Sequence, residues 1–359
     1  MIYRASQMVK RISGRVIVWS VLGWGTAVGA QSLESPESWA SFTAAFQRKD
    51  FTAIETKYSS LIASDKRSLR GDFIAETYAV LWSLASCANF PTPNDEPPKG
   101  PYAELRIDCW NTVEAKVNEW SLAYPLSTLS AVGLAEINLA RAQSPEILKI
   151  DGAKAQDDFA ESARRTLENV PIDRRTVTLY LALMRTATLQ GWGAKRFDQL
   201  MTEAASKFPN HPLIYRRATV HYLPKNGGSP AEIEKIAQFA VDKTKAQDGD
   251  SMYAHVYDEV ILGQGRMWGE AQRRTYFSWP KMRKGLGDIH SRFPDKWNLN
   301  RFAQHACLVD DLVTLSALLG QIGSETKPGA NDGWMAGELL RCRKKLLVPR
   351  PESNLTAAR

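Results

Sequence analysis

Five histidines are the side chains of this chain best suited to bind a metal or transfer a proton near neutral pH. They are scattered along the sequence, at His211, His221, His255, His290 and His305. His221 and His255 are 34 residues apart and would share a metal site only if they align on neighbouring repeats. Because the histidines are scattered, we favour structural roles for them and predict no metal site.

Two pairs of adjacent carboxylates, Asp258-Glu259 and Asp310-Asp311, are the next candidates for acid–base chemistry. Neighbouring side chains on a helix point in different directions, so capping or solvation explains these pairs better than a shared reaction. The sequence has no serine in a nucleophile-elbow context and no glycine loop suited to phosphate. We therefore predict no catalytic residue, no cofactor and no enzymatic activity.

The four cysteines, Cys87, Cys109, Cys307 and Cys342, indicate cross-links if the chain is exported. Of the three connectivities that four cysteines allow, we predict the local pairs, Cys87 with Cys109 and Cys307 with Cys342. The first pair brackets the proline-rich loop 89–101, and closing such a loop is worth about 3 kcal/mol. Buried free thiols are the alternative, and metal binding is disfavoured because no two cysteines have ligand spacing.

Two basic segments near the carboxyl end are candidate contact surfaces. The first interleaves aromatic side chains with Arg273, Arg274, Lys281, Arg283 and Lys284, and the second contains Arg341, Arg343, Lys344 and Lys345. Either could meet an acidic partner or an anionic envelope surface. The alternative, which we favour, is a helix whose aromatic side chains lie in the core and whose basic groups are solvated.

Three aromatic-proline pairs define the elements that must position these residues. They are Tyr124-Pro125, Phe208-Pro209 and Phe293-Pro294, and successive prolines are 84 and 85 residues apart. Proline disfavours a helical residue before it and removes an amide donor, so each pair is expected to end one helix. The next helix is expected to begin with the proline in its first turn, with the aromatic ring packed between the two helices. We call these pairs elbows.

The amino-terminal 30 residues have the pattern of a secretory signal peptide. They contain four basic and no acidic side chains, followed by the apolar run 16–24 and the small residue Ala30. Cleavage after Ala30 is predicted. An uncleaved anchor is disfavoured because the apolar stretch has about 15 residues and a membrane span needs roughly 20.

Removal of the leader changes the charge balance. The full chain has 46 Lys and Arg against 39 Asp and Glu, a net charge of +7, and loss of four basic groups leaves +3. An exported and nearly neutral chain offers little electrostatic attraction for nucleic acid. We expect a periplasmic or secreted protein with no membrane span after cleavage.

Apolar side chains at helical spacing run through nearly the whole mature chain, and no convincing alternating strand interrupts them. The sequence predicts an all-α fold, a tetratricopeptide-like α-solenoid or antiparallel array of helical hairpins. Residues 31–346 form one helical-repeat domain in this interpretation, and residues 347–359 form a loose tail. A helical hairpin is expected to turn near Lys49-Asp50, Ser229 to cap a helix, and Trp334 to begin the last helix.

A family resemblance is carried by motifs spread over the chain. They are Gly191-Trp192, Phe208-Pro209, Tyr215, Tyr222-Leu223-Pro224-Lys225 with Gly227-Gly228, Met252-Tyr253-Ala254, Phe293-Pro294, and Phe302-Ala303 through Ala306-Cys307 to Asp310. With these motifs the chain resembles, over roughly residues 40–345, bacterial domain-of-unknown-function family 4034, although such relatives carry tryptophan where this chain has Asn226. The resemblance implies tetratricopeptide-like helices and no known activity, so it assigns no catalytic residue.

The sequence favours an exported helical-repeat protein that binds another protein in the cell envelope. Helical periodicity without a catalytic constellation supports this interpretation. A first alternative is an envelope enzyme that acts on a glycan through paired carboxylates. A second is an immunity or stress factor that neutralises a toxin.

Overall fold

The structure, a computed structural model, describes residues 36–64, 66–68, 70–75, 101–264, 276–324, 334 and 337–347. Within these residues it contains helices and no strand, which confirms the all-α prediction. The helices, numbered in chain order, are α1 (Pro36–Gln47), α2 (Phe51–Ser64), α3 (Pro101–Ala123), α4 (Thr128–Ala142), α5 (Pro145–Glu168), α6 (Val177–Leu189), α7 (Ala194–Lys207), α8 (Pro212–His221), α9 (Pro230–Asp248), α10 (Ser251–Asp258), α11 (Trp279–Arg292), α12 (Lys296–Leu308), α13 (Leu312–Ile322) and α14 (Glu338–Leu347).

Several sequence predictions fall outside this description. The leader 1–30, residues 89–100 of the proline-rich loop and the tail from residue 348 lie outside the described residues. The described part begins again at Pro101, which opens α3. Among the described helices, none combines the length and the apolar composition that crossing a bilayer requires.

The elbows end helices as predicted, but their prolines do not open the next ones. Phe208 and Phe293 follow the ends of α7 and α11 in closely similar non-helical conformations, with φ/ψ of −134°/64° and −126°/78°. This is the restriction that a following proline imposes. The expectation that the proline lies in the first turn is wrong, because α8 starts at Pro212 and α12 at Lys296. The elbow prolines therefore belong to the connecting turns.

One predicted helix start is confirmed and another needs correction. Ser229 occupies the N-cap position of α9 and Pro230 its first turn, as predicted, but the Ser229 hydroxyl donates to a Glu232 carboxylate oxygen at 2.9 Å and makes no side-chain cap hydrogen bond. The last helix starts at Glu338 and not at Trp334. Trp334 is buried, and its indole N–H donates to Asn300 Oδ1 at 2.7 Å. The predicted turn near Lys49-Asp50 is confirmed between α1 and α2.

The middle of the chain is built as two rows of helices. In the first row α4 packs on α6, α6 on α8, and α8 on α10. In the second row α5, α7 and α9 each pack against two successive helices of the first, and α11 packs on α10 and α12. Each helix thus buries its apolar side against neighbours in both rows. A tetratricopeptide-like solenoid remains a prediction.

The buried apolar side chains form two groups, and α4 contributes to both. Leu129 and Ile137 belong to the amino-terminal group with α1–α3, whereas Val132 and Leu139 belong to the larger group that extends to α14. Because helix neighbours at i and i+3 or i+4 share a face, α4 can present two apolar faces to two cores. This helix therefore joins the amino-terminal hairpin to the rows.

A disulfide fixes the carboxyl end of the array. Cys307 of α12 and Cys342 of α14 are bonded, with Cα atoms 5.6 Å apart, as predicted. Cys109 is also disulfide-bonded, and its predicted partner Cys87 lies outside the described residues. No cysteine that the structure describes is free, so the alternative of buried free thiols is wrong for these three.

Candidate binding surface

The partly exposed face of the first row carries a line of charged side chains. On α8 the partly exposed residues are Leu213, Arg216, Arg217 and Val220, whereas most of the helix is buried. Their spacing of three and four residues places them on one face. We define the polar stripe as Glu136, Arg185, Arg216, Arg217, Asp258, Glu259 and Arg301.

Ion pairs between successive helices make up most of the polar stripe. Arg185 of α6 pairs with Glu136 of α4 and also donates to Gln143 Oε1 at 2.6 Å. Arg216 of α8 donates to Glu259 Oε2 at 2.8 Å, and the Glu259 side chain is 2% exposed. Charge-assisted hydrogen bonds of this kind tie neighbouring helices together at a fixed spacing.

Asp258 is the centre of a second buried cluster. It accepts from Arg301 Nη2 at 2.7 Å and from His305 Nε2 at 2.9 Å. Burial lowers the pKa of His305, and Asp258 does not fully offset this effect. A neutral His305 with its proton on Nε2 leaves Nδ1 as an acceptor, and Nδ1 is the ring atom that has no hydrogen-bond partner. Because His305 is completely buried, this dyad has a structural role.

Electrostatics stabilise the charged states of Asp258 and Arg216 in the polar stripe. Burial opposes ionisation of Asp258, but the Arg301 guanidinium and the hydrogen bond from His305 together outweigh it and hold the pKa of that carboxyl well below its usual range. Burial likewise opposes the charge on Arg216, and the nearby carboxylates, Glu259 foremost, hold its pKa above its usual range. Both side chains are therefore charged at neutral pH.

Burial of His255 is expected to make the protein sensitive to acid. Burial, reinforced by the Arg216 guanidinium, lowers its pKa to about 3. The unfolded imidazole titrates near pH 6.5, so between pH 6.5 and 3 the unfolded chain binds a proton that the native chain does not. Stability is therefore lost as the pH falls through this window.

We expect the free energy of unfolding to fall from pH 7 to pH 5, by up to about 1.4 kcal/mol per pH unit for each such histidine. Burial also lowers the pKa of His221 and His305, so they add to the slope. Urea denaturation at pH 7, 6 and 5 measures the slope, and His255→Gln should make it shallower. A free energy of unfolding that is constant over this range would contradict the prediction.

A short loop after α2 connects two elbows to the amino-terminal hairpin. We call residues 66–68 and 70–75 the elbow loop. Phe73 stacks on His211, next to the second elbow, with ring centroids 4.3 Å apart. At the third elbow, Asn298 Nδ2 donates to the carbonyl oxygens of Arg70 and Phe293. The elbow loop also places Asp72 within electrostatic range of Arg216.

Gly71 lets the elbow loop approach the third elbow. Its φ is +92°, and a Cβ atom there would lie 2.8 Å from ring carbons of Phe293. We expect Gly71→Ala to lower the free energy of unfolding by about 1–2 kcal/mol, because it adds backbone strain and displaces the ring. Gly287→Ala in α11 is the matched control. It meets no atom within 4 Å and should be neutral or stabilising. Equal thermal midpoints for both variants would contradict this account of Gly71.

A crevice of about 230 Å³, part of it open to solvent, lies beside the elbow loop. Its lining includes His255 and two carboxylates, Asp248 and Asp288. Both carboxylates have structural partners, since Asp248 pairs with Arg292 and Asp288 accepts from the Asp250 amide at 2.8 Å. The space enclosed between these side chains holds about one water molecule, far less than the roughly 300–1,000 Å³ typical of small-molecule sites.

The basic residues predicted to meet a partner are only partly described. Arg273 and Arg274 lie outside the described residues. Lys281 pairs with Glu234 at 2.7 Å, Arg283 with Asp311 at 3.7 Å, and Lys284 with Asp250. These three side chains are exposed, but each faces an acidic group of a neighbouring element. Partner binding through them stays a prediction.

Structural contacts also account for most of the other residues singled out by their chemistry. His221 stacks on Phe197 with ring centroids 3.7 Å apart, and in the described part of the chain no group of three His, Cys, Asp or Glu could hold a metal. Asp311 caps α13 by accepting from the Thr314 amide at 3.0 Å, as expected. Capping or solvation is wrong for Asp258-Glu259, because both form ion pairs and Glu259 is buried.

The sequence interpretation did not identify the arginines of the polar stripe. A signal was present, because Arg185 is the only charged residue of α6, and Arg216-Arg217 interrupt the apolar pattern of α8. Charges inside such helices need a partner or a function. Comparison of the chain with protein-family models, with curated proteins and with solved structures finds no match.

Proposed function

We propose that this chain is an exported helical protein that binds a protein partner along the polar stripe. The observation that carries the proposal is the concentration of charged side chains on one partly exposed face of otherwise apolar helices. Charge at such a position is costly unless it orders the helices or meets a ligand. Most charges of the polar stripe form ion pairs that order the helices, and the remaining charged side chain is available to a ligand.

A protein is favoured over a small molecule because of the shape of this surface. The polar stripe crosses five helices, from α4 to α12, so its contacts are spread along a line and not gathered in one cavity. Stacked helical pairs bind extended segments on surfaces of this kind. The crevice beside the elbow loop is smaller than usual small-molecule sites.

Export is the second part of the proposal. The Cys307–Cys342 bond supports it, because disulfides persist in oxidising compartments. The leader-like residues 1–30 support it from the sequence, with cleavage after Ala30. The resemblance to family 4034 is part of the same proposal and is compatible with a helical envelope protein.

Site-specific photo-crosslinking in intact cells tests the binding surface. A photoreactive phenylalanine analogue replaces Leu213 on the stripe face of α8, and a control replaces the exposed Lys235 on α9. We expect one reproducible protein adduct from position 213 and none from position 235. The absence of an adduct at 213, or the same adducts from both positions, would overturn the proposal.

A further inference from the structure

Arg217 lies in the middle of the polar stripe, and no side chain in the described part of the chain is its hydrogen-bond or ion-pair partner. Within the described residues its guanidinium makes no hydrogen bond, ion pair or ring contact. It is only partly exposed, yet its nitrogens are not among the fully buried unpartnered atoms, so they reach solvent. Burial and then the neighbouring Arg185 lower the pKa of Arg217. Its charge is therefore unfavourable for the free protein, although arginine stays protonated at neutral pH.

The groups around Arg217 have unused capacity to bind an anion. Arg185 and Arg216 flank it, while the two carboxylates in range, Glu136 and Glu259, are engaged by those two arginines. Both carboxylates that act on Arg217 are thus engaged by other arginines, and neither is a hydrogen-bonded partner of Arg217 itself. Unmade hydrogen bonds from a charged donor are costly, so a ligand that supplies acceptors to the Arg217 guanidinium gains affinity.

Apolar side chains lie on either side of this charge. Leu213 and Val220, one turn before and almost one turn after Arg217 on the same face of α8, are partly exposed. Leu181 of the adjacent α6 is also partly exposed. The surface around Arg217 therefore offers one charge-assisted contact between aliphatic patches.

We propose that Arg217 is the anchor of a binding site for a peptide carboxylate, with Arg185 and Arg216 beside it and Leu213 and Val220 contacting aliphatic residues of the same segment. The inference rests on the proposed function and names the chemistry of the partner: an acidic side chain flanked by aliphatic ones. The planar guanidinium fork matches a carboxylate with two parallel hydrogen bonds.

A phosphate group shares part of this chemistry but fits the site less well. A dianion at Arg217 would be repelled by Glu136 and Glu259, which lie within electrostatic range. A singly charged carboxylate neutralises the Arg217 charge without adding a second negative charge. The site is therefore expected to prefer a carboxylate over inorganic phosphate.

Fluorescence anisotropy with labelled octapeptides tests the inference on the purified mature chain. One library carries a single glutamate flanked by leucine and alanine, a second carries glutamine in its place, and inorganic phosphate serves as a competitor. We expect the glutamate library to bind about 10-fold to 100-fold more tightly than the glutamine library, with little competition by phosphate. Failure of the glutamate library to bind, equal affinities of the two libraries, or displacement by phosphate would overturn the inference.

Variants at Arg217 separate binding from folding. Arg217→Leu should weaken glutamate-peptide binding about 10-fold to 100-fold. The affinity of Arg217→Lys should lie between those of Arg217→Leu and the wild type, because lysine keeps the charge but lacks the planar guanidinium that makes two parallel hydrogen bonds. Arg196→Leu, on α7, is the control and should bind like the wild type. Arg217→Leu should also raise the thermal midpoint by about 1–3 °C, because it removes a desolvated, unpartnered charge.

The two proposals fail in different ways. A lowered midpoint for Arg217→Leu, or unchanged peptide affinity, would show that Arg217 is structural and would overturn the carboxylate site, even if the photo-crosslink from position 213 persists. Absence of the crosslink from position 213 in the otherwise wild-type chain would instead contradict the proposal that the polar stripe binds a protein.

Discussion

Replacing Glu259 by glutamine is expected to lower the free energy of unfolding by about 3–5 kcal/mol. The Arg216–Glu259 pair has side chains that are 15% and 2% exposed, so the variant leaves the Arg216 charge sheltered and without its hydrogen-bonded carboxylate. Asp258 cannot replace the lost carboxylate because it is engaged by Arg301 and His305. Urea denaturation at pH 7 measures the loss.

A double variant distinguishes the loss of a partner from the loss of packing. Arg216→Met combined with Glu259→Leu removes both charges, and we expect it to recover most of the stability lost by Glu259→Gln. If Glu259→Gln costs less than about 1 kcal/mol, the pair is effectively solvated, and the description of the polar stripe as an ordered network is wrong.

Loss of the Cys307–Cys342 bond is the second change with a large expected effect. The bond closes a loop of 35 residues between two cysteines that are each 1% exposed. Loop-closure entropy for this length predicts that Cys307→Ser with Cys342→Ser lowers the free energy of unfolding by about 4 kcal/mol. Thermal unfolding of the purified variant measures the effect.

As a control, the thermal midpoints of the wild type and of the double serine variant are each measured with and without reductant. Reductant should lower the wild-type thermal midpoint and leave that of the double serine variant less affected, because only the bond at Cys109 then remains to be reduced. Free thiols at Cys307 and Cys342 in protein isolated from the envelope, detected by mass spectrometry after alkylation, would contradict the bond and weaken the case for export.

The sequence predicted the helical class and the elbows because their causes are local. Proline acts on the residue before it, and the ends of α7 and α11 follow from this effect at Phe208 and Phe293. The start of the next helix depends less on its immediate sequence neighbours. In α8, Pro212 and not Pro209 occupies the first turn, and the choice between two nearby prolines depends on the turn between them.

The polar stripe and the elbow loop could not be predicted in the same way. Arg216 and Glu259 are 43 residues apart, and Asn298 reaches Arg70 across 228 residues. Helical periodicity identifies which face is apolar, but it does not determine which helices become neighbours. Lone charges such as Arg185 in apolar helices mark where such pairs are needed. The position of Trp334 could not be predicted for the same reason, because its burial against Asn300 depends on a contact outside its own segment.

Arginine footprinting tests whether the polar stripe is the surface on which the partner binds. The protein alone and the protein with its crosslinked partner are treated with phenylglyoxal, and modification of each arginine is measured by mass spectrometry. We expect Arg217 to be modified readily in the free protein and protected in the complex, while Arg196 is modified equally in both. Equal modification of Arg217 in both samples, with protection confined to Arg283 of α11, would contradict this expectation.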